Sequence, residues 1–257
     1  MKVMCQLNRL AAGTAFVALA ALTGASVAQA DGAPSKGRVV YEKPSNWSGL
    51  YFGAQAGWSW SDVGSEFVTA GGVPLGFNDS VNHDAGIVGG QIGIQHQFGQ
   101  IVVGIEGSGV FTYNDDFANT SCPNPARTCG KQLDNILSVG PRIGFAMGKW
   151  MPYVTGGYAS ASVSHKSFDN GAGTNGLFFQ NRFDGWYLGG GVDMALAAGW
   201  TVGLEYRHYD FGSDIVETHN AAGVPSGEFR NVDVTTDTLS LRVSWKLGRP
   251  DRVSPLK

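Results

Sequence analysis

Residues 238–247 read Thr-Leu-Ser-Leu-Arg-Val-Ser-Trp-Lys-Leu, so Leu239, Leu241, Val243, Trp245 and Leu247 alternate one for one with Thr238, Ser240, Arg242, Ser244 and Lys246. A period of two is that of a β-strand with one apolar and one polar face. One such strand suits a soluble sheet as well as a membrane wall, but this chain repeats the pattern. Leu50, Phe52, Ala54, Ala56, Trp58 and Trp60 share a face, as do Val88, Ile92, Ile94 and Phe98, and again Ile101, Val103, Ile105 and Phe111. Leu137, Val139, Ile143 and Phe145 follow, then Trp186, Leu188, Val192, Met194 and Leu196, then Val202, Leu204 and Tyr206. Residues 151–163 form a further strand without a clear facing, because Val154 and Tyr158 compete with Tyr153 and Val163.

The connections alternate in length. Residues 61–84, 113–133, 164–183 and 212–232 are long, polar and rich in Gly, Asn and Asp, while residues 99–100, 147–150 and 197–199 make short turns. Long loops outside, short turns in the periplasm and an even strand count are what outer-membrane barrels show. The expected fold is all-β: an eight-stranded antiparallel up-and-down transmembrane β-barrel over residues 47–247, with both termini in the periplasm. Closure follows, since an open edge in lipid would leave backbone groups unsatisfied. Trp47, Tyr51, Trp58, Trp60, Phe98, Trp150, Tyr153, Trp186, Trp200, Tyr206 and Trp245 lie near strand ends and predict interfacial girdles. A soluble barrel is the alternative, but it would turn the pattern inside out.

The start of the chain supports export. Lys2 and Arg9 precede an apolar, small-residue run over residues 11–25, and Ala28-Gln29-Ala30 before Asp31 is a cleavage pattern, which predicts a signal peptide over residues 1–30. The run is short for an uncleaved anchor, which needs roughly 20 apolar residues. Residues 31–46 read as a flexible periplasmic leader and residues 248–257 as a short tail. Losing Lys2 and Arg9 takes the formal charge from -3 to -5, against a nucleic-acid surface. With 38 glycines and 11% aromatics, the composition suits tight barrel walls.

After cleavage, Cys122 and Cys129 are the cysteines that remain. Two cysteines this close in an exported chain predict a loop disulfide; a metal or redox site is the alternative, but no His lies nearby in sequence and structural zinc sites take four ligands.

The segment Asn46-Trp47-Ser48-Gly49-Leu50-Tyr51-Phe52-Gly53 resembles the opening strand of the porin-like outer-membrane immunogenic proteins. Gly90-Gln91-Ile92-Gly93, Gly104-Ile105-Glu106-Gly107, Pro152-Tyr153-Val154-Thr155-Gly156-Gly157 and Leu204-Glu205-Tyr206 are similar to that family's later strands, in the same order. The resemblance implies an eight-stranded barrel of the outer-membrane protein A superfamily, exposed at the cell surface. Leu247 stands where that family usually ends on an aromatic residue.

The polar face carries Glu106, Arg142, Asp193, Glu205, Arg207, Arg242 and Lys246. Glu106, Arg142, Glu205 and Arg242 each lie about five residues from the nearest periplasmic strand end, and Asp193 about three, so at roughly 3.3 Å per residue they fall in one belt. The interior of an eight-stranded barrel is just wide enough for side chains to fill it. Paired charges there predict a salt-bridged plug, with a charge-lined filter for small solutes as the alternative. A lipid-modifying enzyme is the third class. His165-Lys166-Ser167 puts a His and a Ser on one strand face, but Phe168 follows where a deacylase pattern continues with Asn. His83, His96, His208 and His219 lack ligand spacing, and no cofactor is implied. The expected partners are outer-membrane lipids, the insertion machinery and an unidentified extracellular ligand of the long loops. The expected role is structural and non-enzymatic.

Overall fold

The computed structural model describes residues 45–113, 118–121, 127–169, 175–220 and 222–247. These residues form nine antiparallel strands: β1 (Gly49–Val68), β2 (Pro74–Phe98), β3 (Ile101–Thr112), β4 (Ala118–Ser121), β5 (Arg127–Phe145), β6 (Trp150–Asp169), β7 (Asn175–Ala195), β8 (Trp200–Asn220) and β9 (Pro225–Leu247). Strand β1 pairs with β2 on one edge and β9 on the other. The remaining pairings, β2–β3, β3–β5, β5–β6, β6–β7, β7–β8 and β8–β9, carry the ladder round in a ring. The ninth strand, absent from the expected eight, is the short β4, which pairs along the outer part of β5 beyond the end of β3.

Successive strands meet through short turns at one end and long hairpins at the other. Toward the short-turn end the outward residues are apolar and exposed: Phe52, Ile92, Ile105, Ile143, Val154, Leu188, Leu204 and Leu241. Such a continuous apolar outer surface is what a barrel shows to lipid. On β9 the band runs from Leu239 to Leu247, about 26 Å of strand at 3.3 Å per residue and roughly 20 Å once the strand tilt is allowed for. Trp58, Trp60, Tyr113, Tyr158 and Trp186 mark its edge on the hairpin side, and Phe98, Trp150 and Trp200 its edge on the turn side. The facing left open for residues 151–163 is also fixed: Val154 and Tyr158 point outward, while Met151, Tyr153 and Val163 are buried inside.

Past the hairpin-side aromatics the four long connections are mostly strand rather than loop, which corrects the sequence reading. β1 continues to Val68 and β2 starts at Pro74, leaving a turn closed by Gly72 N–H donating to Thr69 O at 2.8 Å. β2 is 25 residues long and β9 is 23, where a membrane crossing needs about 9–11. The physical reason is an inversion of the two faces. Val63, Leu133, Val163, Phe183, Phe211, Val216, Val232 and Val234 are buried in one interior cluster with Ile87, Val110, Ile136, Tyr187 and Tyr209. Many outward positions there are polar, including Asp62, Asp84 and Asp184, although Leu75, Phe77 and Ile215 are also exposed. In water the apolar residues turn inward; in lipid they turn outward.

A second correction concerns aromatics assigned to the girdles. Trp47, Tyr51 and Tyr153 are buried inside the ring. Several expectations lie outside the described residues: the signal peptide with Ala28, Ala30 and Asp31, the leader up to residue 44, the tail at residues 248–257, Cys122, and the side chains of Cys129 and of His165, Lys166 and Ser167.

Candidate functional site: a buried charge belt

Inward positions on β3, β5, β7, β8 and β9 bring Glu106, Arg142, Asp193, Glu205, Arg207 and Arg242 into one buried cluster. Glu106 is its centre. Its Oε1 lies 2.6 Å from Arg207 Nη2, and its Oε2 accepts from Arg242 Nη2 and, at 2.7 Å, from the Tyr51 hydroxyl, with Arg142 Nη1 at 3.5 Å. Glu205 is the second anion. It pairs with Arg207 Nε at 2.8 Å and with Arg242 Nη1, and its Oε2 accepts from the Tyr153 hydroxyl at 2.9 Å. Asp193 pairs with Arg142 Nη2. Lys246 sits apart from this cluster, at the turn end, where its Nζ donates to the Asn46 carbonyl.

Neutral side chains take up some of the hydrogen bonds that the charges leave over, while Arg142 Nε and Arg242 Nε find no hydrogen-bond partner among the described residues. Arg207 Nη1 donates to Ser108 Oγ at 2.7 Å and Ser138 Oγ at 2.9 Å, and Arg242 Nη1 donates to Tyr153 OH at 3.0 Å. The Arg142 guanidinium carbon stands 3.6 Å from the Tyr153 ring centroid, and that of Arg207 4.9 Å from the Tyr187 ring centroid. Three carboxylates against three guanidiniums make the belt formally neutral, and every one of these charges has an opposite partner. That is the condition under which buried charges are tolerated.

Room for these large groups comes from small residues beside them. Glu106 stands opposite Gly93 on β2 and Gly140 on β5. A Cβ on Gly93 would lie 2.4 Å from the Tyr51 hydroxyl, the group that donates to Glu106, and 2.9 Å from the Ile105 carbonyl. Arg242 likewise stands opposite Gly203. Glycine here permits close approach of a neighbouring side chain in a narrow ring.

The sequence reading missed Tyr51, Tyr153, Tyr187, Ser108 and Ser138 as members of the site. Strand parity alone was the available signal: Tyr51 falls on the polar face of its strand, opposite Leu50 and Phe52. Above the belt Tyr187 joins the charges to the apolar interior, its hydroxyl 3.1 Å from Thr155 Oγ1 and its ring 5.7 Å from that of Tyr209. The belt and the apolar cluster thus stack along the interior. Among the described residues, no group of His, Cys, Asp and Glu side chains has a metal-holding arrangement.

The chain is similar to several known proteins. The 25 kDa outer-membrane immunogenic protein of Brucella ovis is 24% identical over 173 residues, covering 66% of this chain and 72% of that protein. Its Brucella abortus counterpart is also 24% identical, over 65% of this chain and 67% of its own length. Among solved structures, the outer membrane protease OmpT from Escherichia coli aligns with a TM-score of 0.47 at 9% identity, covering 80% of this chain and 99% of its own. Ail, the attachment invasion locus protein of Yersinia pestis, aligns at 0.40 and 12%, covering 77% and 99%. The model of the outer membrane protein β-barrel domain matches residues 17–246, and the chain belongs to that family.

Proposed function

We propose that this outer-membrane protein is a sealed, closed barrel of eight wall positions that carries rigid hairpins above the membrane, with a structural and surface-interaction role rather than a catalytic one. In this reading β4 continues the wall position of β3, so nine strands fill eight places. The observation that carries the proposal is the interior itself: Glu106, Glu205 and Asp193 interlocked with Arg142, Arg207 and Arg242, beneath a packed apolar cluster. Charges cross-linked in this way have to separate before a solute can pass, and the apolar layer above them adds a barrier to water and ions. A filter for small solutes would instead need unpaired charges along an open path.

The orientation that follows puts the short turns and both termini in the periplasm and the long hairpins outside. The outer-membrane lipids would meet the Leu239–Leu247 band, and the insertion machinery would receive the chain before closure. The surface ligand would be met by hairpins stiffened by their own apolar interior, not by free loops. An epitope inserted in the turn at residues 69–73 tests this. On intact cells it is expected to bind antibody and to be lost to external protease, whereas an epitope inserted in the turn at residues 147–150 becomes accessible only after permeabilisation. The reverse result would overturn the orientation and, with it, the surface role.

A further inference from the structure

His83 lies on β2 just past the hairpin-side aromatics, opposite Ser61 of β1 and 5% exposed. It shares the inward face of β2 with Ala85 and Ile87, both buried, while its neighbour Asp84 stands outward opposite Trp60. His83 Nε2 is buried and has no hydrogen-bond partner among the described residues. The nearby hydroxyls of β1 bond elsewhere: Ser61 Oγ accepts from Thr236 Oγ1 at 3.1 Å, and Ser59 Oγ donates to the Ala85 carbonyl at 3.2 Å. An imidazole thus occupies a place in the interior where its ring nitrogen is left unsatisfied.

The strand pairings show which groups share its level. His83, Ser61, Thr236, Tyr209 and Tyr187 form one inward row across β2, β1, β9, β8 and β7. The next row toward the belt is Ala85, Ser59, Thr238, Arg207 and Gly189, and Arg207 is held by Glu106 and Glu205. Neither row offers a free carboxylate. On the other side of β2, β3 ends at Thr112 opposite Ile87, and β4 carries no titratable side chain. Asp134 of β5 accepts from Ser164 Oγ at 2.6 Å, and toward the hairpin tips Arg230 pairs with Glu228. Burial pushes the His83 imidazole below the ordinary histidine range, and the outward Asp84 carboxylate offsets this only in part.

We propose that His83 is an acid trigger for the hairpin half of the barrel: once protonated it leaves its interior place, and the β1–β2 hairpin beyond Trp60 loosens while the lipid-facing wall stays closed. An imidazolium without a buried acid partner is costly in the interior and regains its hydration when the hairpin opens. The closed hairpin is therefore at full strength above the ordinary histidine pKa of about 6.5 and weakens as the pH falls below it. Opening brings Val63 and Ile87 to water, both members of the apolar cluster that also holds Phe183, Val232 and Val234. The charge belt lies beneath this layer, so acid opening of the hairpin and conductance test separate claims.

The test is hydrogen exchange, read by mass spectrometry, on the full mature protein refolded in lipid vesicles at about pH 7.5 and about pH 5, with rates corrected for the intrinsic effect of pH. Protection of residues 61–87 is expected to fall by about tenfold or more at the lower pH, while residues 239–247 keep theirs. His83→Gln, uncharged at both values, is expected to hold its protection, and His83→Phe serves if the Gln variant is unfolded at neutral pH. In the wild-type protein, the ¹³C-labelled His83 ring, assigned by its absence from the variant, is expected to titrate below about 6.5. Equal protection of residues 61–87 at the two pH values would overturn the proposal. So would an equal fall over residues 239–247, the same fall in a folded variant without the imidazole, or a His83 ring that titrates at or above its ordinary value.

Discussion

Arg242 on β9 and Glu106 on β3 meet through Nη2 and Oε2 although 136 positions separate them in sequence. Strands β1 and β2 lie between β9 and β3 in the wall, so this contact spans the interior rather than following a ladder. It ties together two strands that share no ladder.

Glu106 touches Tyr51, Arg142, Arg207 and Arg242. Glu106→Gln removes one negative charge and leaves three guanidiniums facing two carboxylates. The expected loss is about 3–5 kcal/mol, the cost of leaving a buried charge uncompensated. Urea-induced unfolding in lipid vesicles measures it, and a loss under 1 kcal/mol would mean that water or ions take the place of Glu106.

Gly93→Ala is expected to destabilise the barrel by displacing Tyr51 from Glu106, since the added Cβ meets the Tyr51 hydroxyl at 2.4 Å. Gly64→Ala is the control: its Cβ would find Asp233 Cβ at 3.9 Å, an ordinary contact. The temperature at which the folded, fast-migrating band disappears on a gel should fall for the first variant alone.

The face inversion gives a three-way test with arginine. Leu241→Arg, on the lipid face, should cost about 2–4 kcal/mol. Val232→Arg, at an interior position of the same strand, should instead loosen the hairpin end and expose it to protease while the lower barrel stays folded. Asp62→Arg, outward but beyond the apolar band, should cost close to nothing, about 0–1 kcal/mol.

Cys122 and Cys129 are expected to be paired in protein from the outer membrane. The two lie close in sequence in a chain expected to be exported, and that spacing is what predicts the bridge. Intact-mass measurement after alkylation should find no added label without reductant and two labels with it.

The parts of this fold legible in the sequence are those where one face keeps one chemistry. Leu239 to Leu247 alternate without a break, and the lumen-side charges could be placed in a belt by counting from strand ends. The hairpin extensions were hidden because the chemistry changes faces while the strand continues. On β9, Val232, Val234, Thr236, Thr238, Ser240 and Arg242 are all interior; a reading that keeps apolar residues outward stops near Leu239. Tyr51 and Tyr153 were hidden for another reason: an aromatic near a strand end suits a girdle, and only parity shows that its ring points inward. Sharing one level made Glu106, Asp193 and Glu205 the candidate partners of Arg242, but that it meets Glu106 and Glu205 depends on which strands face each other across the ring.

Single-channel recording of the refolded mature protein in a planar bilayer tests the sealed interior most directly. The interlocked Glu106, Glu205, Asp193, Arg142, Arg207 and Arg242 predict a quiet baseline under voltage, with openings appearing or lengthening in Glu106→Gln. Stable, large openings in the wild-type protein would contradict the account.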